Sequence, residues 1–156
     1  MIARRASPAL PDLAGGSLIE PNTRVPEFSL LDHHGKPFTN TNLLGRWSML
    51  YFGYTNCPDF CPATLSMLAA MERRMRAAGA PLVPQVVFVS ADALRDTPAQ
   101  LASVWTSYGV AVDAKTKEIG HGDAIYAIDA NRNVILVYTP ETTAKELLAD
   151  ARKLVN

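Results

Sequence analysis

Apolar residues come in short blocks from about Val25 onward, separated by polar, Gly or Pro breaks. Residues 1–24 are rich in Pro, Gly, Ser and Ala and show no sustained period. They are expected to be a flexible N-terminal tail or linker ahead of one domain over 25–156. FSLLD (28–32), HHGK and PFTNTNL predict a loose hairpin turning at Gly35, in which His33 and His34 are solvated turn residues. WSMLYFGY (47–54) is a short continuous apolar run, which predicts a buried strand. After Pro62, Leu65, Leu68, Met71 and Met75 fall on one helical stripe, so the methionines read as core filling. Pro62 suits the first helical position and Gly79 the residue after the end, with Arg73, Arg74 and Arg76 complementing the helix dipole. VVFVS (86–90) predicts a second buried strand. Thr97-Pro98-Ala99-Gln100 has capping-box spacing and opens a helix running to Gly109. DAIYAID (123–129) and NVILVY (133–138) predict a hairpin. Thr143 and Glu146 repeat the capping-box spacing before an amphipathic helix carrying Ala144, Leu147, Leu148, Ala151 and Leu154.

The element order is hairpin, then βαβα, then ββα. A βαβ unit places its strands parallel with the helix on a face, and the closing hairpin adds antiparallel neighbours. The expected class is therefore α/β, a thioredoxin-like fold with a central mixed sheet flanked by helices.

Bulk numbers narrow the function. Lys plus Arg is 15 and Asp plus Glu is 15, so no basic field marks the chain for nucleic acid. No apolar run reaches the length of a membrane span. Arg4-Arg5 is not followed by the apolar stretch of an export signal, which leaves a trimmed mature form or a non-exported chain.

Candidate chemistry concentrates in TNCPDFCP. Cys57 and Cys61, the only two cysteines of the 156 residues, stand four apart where a buried strand meets a helix start. On a helix, that spacing puts both on one face at about 6 Å of rise. Such a pair can hold a metal when reduced or close a disulfide when oxidised, and spacing does not separate the two uses. The helix N-terminus favours thiolate over thiol. Asp59, between the two, reads as the helix N-cap.

YFGYTNCPDFCPATL (51–65) resembles the signature of the Sco/SenC family of copper proteins. VVFVSADALRDTPAQL (86–101) and GHGDAIYAIDANRNVILVY (120–138) are similar to two further segments of that family, in the same order. The resemblance implies one copper, as Cu(I) or Cu(II), held by Cys57, Cys61 and His121. It implies delivery of copper to the CuA centre in subunit II of cytochrome c oxidase, or reduction of that centre's cysteines, with a second copper chaperone or a thiol reductase as further partners. It implies a periplasmic site of action, or the periplasmic face of the inner membrane, ahead of the mitochondrial intermembrane space. Thiolate suits Cu(I) and imidazole suits Cu(II), so this donor set serves both states. Without the flanking match, His121 is a polar loop residue between two glycines. Gly120 and Gly122 replace the Asp and Ser usual in the family, and an extra strand and helix usual before the Tyr108-Gly109-Val110 segment is missing. A dedicated thiol–disulfide oxidoreductase and a thiol peroxidase are the competing functions. C-x-x-x-C in place of C-x-x-C, and His121 where a thioredoxin places its Pro, disfavour general disulfide exchange.

Overall fold

A computed structural model describes residues 12–20, 23–92, 112–113 and 124–155. The helix expected over 98–109 lies outside the described residues, as does His121 with its flanking glycines. One mixed sheet of eight strands organises the described residues, in the order β1-β8-β7-β4-β5-β6-β2-β3. The strands are β1 (Ser17–Leu18), β2 (Ser29–Asp32), β3 (Pro37–Thr39), β4 (Ser48–Gly53), β5 (Gln85–Ser90), β6 (Val112–Asp113), β7 (Ile125–Ile128) and β8 (Val134–Tyr138). β4, β5 and β6 run parallel, and β7 and β8 add antiparallel neighbours to β4. β6 pairs directly with β5, Val112 opposite Val89, so no further strand stands between them.

The expected core is the observed one. β5 is buried from Val86 to Ser90, as a central strand covered on both faces must be. Helix α1 (Phe60–Ala77) turns Leu65, Leu68, Met71 and Met75 onto the sheet, each fully or nearly buried. Burying a side chain of this kind stabilises the fold by about 1.5–3 kcal/mol. The helix stops at Gly79, whose φ of 67° lets the Ala80 N–H reach the Met75 carbonyl and the Gly79 N–H that of Arg76. Helix α2 (Ala144–Leu154) packs against α1, and its Thr143–Glu146 capping box is fully formed. Ala144 is exposed, and Asp150 takes a place on the buried face instead. Gly35 sits at positive φ in the β2–β3 turn, as that turn requires.

Residues 12–20 of the segment expected as a tail are among those described, and two of them join the sheet. Ser17–Leu18 pairs with Val137 and Leu136 as an edge strand, and Val25 bonds to the Arg132 carbonyl. The Asp150 carboxylate accepts hydrogen bonds from the N–H groups of Ala14, Gly15 and Gly16 at 2.6, 3.0 and 2.9 Å. Glycine is needed in this strap because a Cβ at Gly15 would lie 2.8 Å from Glu146 Cβ, and one at Gly16 2.9 Å from the Tyr138 ring. Polar, Gly-rich composition reads as a linker, yet here the glycines let the backbone close on a buried carboxylate 134 to 136 residues away.

Candidate metal centre

β4 delivers the chain to the centre. Its last residues, Tyr51 to Gly53, lie beside Phe88 to Ser90 of β5 and reach the C-terminal end of the parallel strands, where open α/β sheets place their ligands. A turn from Tyr54 to Cys57, closed by the Cys57 N–H on the Tyr54 carbonyl, carries the first cysteine over that end. α1 then starts at Phe60, with Cys61 in its second position. Cys57 is thus ahead of the helix, and the two cysteines do not share a helical face. Pro62 is the third helical residue and not the first. Its missing N–H costs nothing there, because first-turn donors have no intrahelical acceptor.

The helix start is built around sulfur. Asp59 occupies the N-cap position but its carboxylate makes no capping bond. The Cys61 N–H points instead at Cys57 Sγ, 3.4 Å away. The expected cap is therefore supplied by a cysteine four residues back, an N–H-to-sulfur contact that sequence spacing alone leaves open.

The two thiols are unequal. Burial is the largest single influence on the Cys57 thiol and pushes it up, but hydrogen bonds from the Cys61 N–H, the Cys61 thiol, the Asp59 backbone and the Tyr54 hydroxyl together outweigh it and hold Cys57 below the ordinary range. Cys61 is only 4% exposed, and burial pushes its thiol up. Hydrogen bonds from the Tyr51 hydroxyl and the Tyr54 N–H oppose that rise, while the proton it shares with Cys57 and the neighbouring thiolate charge add to it. Cys57 is therefore the more acidic and more exposed thiol of the pair, and Cys61 the less acidic, buried one. Alkylation should reveal this: Cys57 reacts with iodoacetamide with a midpoint below that of a free thiol, and Cys61 lags at every pH. Peptide mass mapping across a pH series checks it, and equal rates at the two sites would contradict the asymmetry.

Gly53 sets how close α1 comes to β4. A Cβ there would lie 3.0 Å from Cys61 Sγ and 2.6 Å from the Phe88 ring. Gly53→Ala should cost about 1–3 kcal/mol through overpacking and move Cys61. Denaturant unfolding measures the first, and the Cys61 alkylation rate the second.

Both cysteines are free thiols, hydrogen-bonded to each other, as a soft-metal site requires of its sulfurs. Among the described residues there is no group of three or more Cys, His, Asp or Glu side chains that could hold a metal. The His33 and His34 rings lie tilted at 47° to each other with centroids 3.9 Å apart in the β2–β3 turn, three strands from β4. Sequence reading passed over Tyr51, Tyr54 and Phe88 as site residues. The only signal for Tyr51 and Tyr54 is the aromatic run leading into the motif, and for Phe88 its place in the buried VVFVS strand.

Residues 17–116 match the protein family described as SCO1/SenC. The mitochondrial SCO2 homolog of Mus musculus is 35% identical over 106 residues, covering 65% of this chain and 41% of that protein. The chain spans about half the length, or less, of the first curated relatives it matches. The crystal structure of Arabidopsis thaliana ScoI with copper bound is 27% identical with a TM-score of 0.72, covering 83% of this chain and 96% of that one. BsSco, described as a member of the Sco family of cytochrome c oxidase assembly proteins with a disulfide switch, has a TM-score of 0.70 at 17% identity over 87% of this chain and 95% of that one. The thioredoxin-like α/β class expected from the element order is the class of these structures.

Proposed function

We propose that this chain, which belongs to the SCO1/SenC family, binds one copper through Cys57, Cys61 and His121 and carries it to the CuA centre in subunit II of cytochrome c oxidase. The observation that carries the reading is the sulfur pair itself, one half-exposed, more acidic thiol and one buried thiol in mutual hydrogen bond at the end of β4. Two soft sulfurs hold Cu(I), and an imidazole extends the set to Cu(II). Support for His121 comes from strand placement. β7 lies beside β4 with Ile125 opposite Tyr51, so the chain enters β7 from the cysteine end of the sheet. Three residues before Ala124, His121 is tied within about 11 Å of it by chain length alone. The relatives' names support copper and oxidase assembly. The site of action we propose is periplasmic. No helix among the described residues is long and apolar enough to cross a membrane.

Titration of the reduced protein with Cu(I) against a weak competitor, and with Cu(II) followed by visible absorption, tests this. Wild type should retain about one copper per chain, with thiolate charge-transfer absorption in the Cu(II) form. His121→Ala should weaken Cu(II) more than Cu(I), while His33→Ala and His34→Ala change neither. Absence of retained copper in wild type would end the copper reading. Equal Cu(II) spectra in His121→Ala and wild type would move the third ligand elsewhere.

One observation favours a second reading, a thiol reductase for the CuA-site cysteines. A half-exposed, more acidic thiol beside a buried one is the arrangement by which one sulfur attacks a disulfide and the other resolves it. Reduction of an oxidised CuA-site peptide by metal-free protein, at a rate that Cys61→Ser stops at the mixed disulfide, would identify that activity.

A further inference from the structure

We propose that Asp59 and Phe60, the two residues between the proline and the second cysteine, form the docking rim for the protein that exchanges copper with this chain. This rests on the copper reading above. Phe60 is 62% exposed, although the core begins at the adjacent Cys61, which is 4% exposed. The buried stripe of α1 runs through Cys61, Leu65, Leu68, Met71 and Met75, and Phe60 stands off it. One turn further along, its side of the helix offers only exposed Ala63 and half-buried Thr64, so nothing apolar covers the ring. A polar residue would serve the first helical position better, since no fold contact requires an aromatic there.

Asp59 adds charge. The N-cap position would normally commit its carboxylate to a first-turn N–H, but Cys57 Sγ takes the Cys61 N–H and the Asp59 side chain makes no capping bond. From Tyr54 to Ala63, Asp59 is the only charged residue. The rim thus offers one exposed aromatic ring and one uncommitted anion within a turn of the half-exposed sulfur.

These features commit the occupant. Copper moves between proteins only when acceptor sulfurs come within bonding distance of the metal, about 2.3 Å for a zinc-like ion. A body that close to Cys57 covers Phe60. The partner that fits is a protein carrying its own cysteine pair beside an apolar pocket, with a Lys or Arg at the pocket's edge to meet Asp59. The exchange balances without redox. Two acceptor thiols replace the two sulfurs of this chain on Cu(I), their protons pass to Cys57 and Cys61, and copper keeps its charge.

Stopped-flow transfer from the Cu(I)-loaded protein to the reduced, metal-free CuA domain of subunit II tests the rim, with dithiothreitol as a small acceptor that needs no docking. Phe60→Ala should slow transfer to the CuA domain at least about tenfold, as loss of a buried aromatic anchor does. Asp59→Asn should slow it severalfold and flatten its salt dependence. Both variants should keep wild-type Cu(I) affinity and wild-type transfer to dithiothreitol. A wild-type rate to the CuA domain in Phe60→Ala overturns the rim, as does equal slowing toward both acceptors, which would place the effect in the metal site. Wild type that retains no copper sinks the copper reading and the rim with it, a result distinct from either of these.

Discussion

Cys61→Ser should leave a folded protein that no longer retains copper through gel filtration. Cys61 Sγ and the Phe88 ring both close on Gly53 at the end of β4, and burial pushes the Cys61 thiol up. Serine is smaller and fits the same space, so the fold has no overpacking to absorb. Its oxygen is a hard donor that keeps its proton near neutral pH, and on the proposed ligand set copper would be left with one thiolate and one imidazole. Cys57→Ser should act alike on copper and even less on the fold, because a serine hydroxyl accepts a first-turn N–H well and so can replace Cys57 Sγ under the Cys61 N–H. Retained copper should fall from about one per chain to below about a tenth in either variant, a loss of more than tenfold in affinity and so more than about 1.4 kcal/mol. Thermal midpoints should stay within a few degrees of wild type. Metal analysis with a melting curve on each sample separates the two effects. Full copper retention by both variants would remove Cys57 and Cys61 from the ligand set.

The elements whose signals are local were legible in the sequence. Gly79 stops α1 because only a positive φ closes that end, and Thr143 with Glu146 starts α2 because the box is completed within four residues. The stripe of Leu65, Leu68, Met71 and Met75 needed only the helical period. The position of the cysteine motif at the end of a buried strand was equally visible. What escaped depends on contacts that no local pattern encodes. Asp150 looks like a solvated position on an amphipathic helix, yet it is fully buried because three amides from the other end of the chain converge on it. Asp59 has the chemistry of an N-cap, and only three-dimensional placement shows a sulfur standing in for it. Tyr51 and Tyr54 read as strand aromatics, and their hydrogen bonds to the two thiols follow from the turn that folds Cys57 back over β4.

Asp150→Ala should be the most destabilising single change outside the apolar core. Its carboxylate accepts three backbone N–H groups and ties residues 14–16 over Tyr138, while Lys153 bonds to the Asp12 carbonyl beside it. Burial first, and then the nearby Asp150 charge, push the Tyr138 phenol upward, so that hydroxyl stays neutral and offers no competing anion. Removing the carboxylate strands three amides at about 1–3 kcal/mol each if the strap stays in place. The strap can escape that cost by leaving the surface and hydrating its N–H groups, so the loss is capped by its own docking energy. A net cost of about 2–4 kcal/mol is expected, near the lower part of the range for breaking a buried charged contact. At about 2–4 °C per kcal/mol for a chain of this size, the melting point should fall by roughly 4–16 °C. Hydrogen exchange should show where the stability went: the amides of 14–19 lose protection, while those of β4 and β5 keep theirs. Gly15→Ala, which drives a methyl into Glu146 and Thr142 with the carboxylate intact, should loosen the same segment. Copper retention should survive both variants, because the sulfurs are placed by β4 and the start of α1. An unchanged melting point together with unchanged exchange over 14–19 in Asp150→Ala would show that the strap is held by β1 pairing alone.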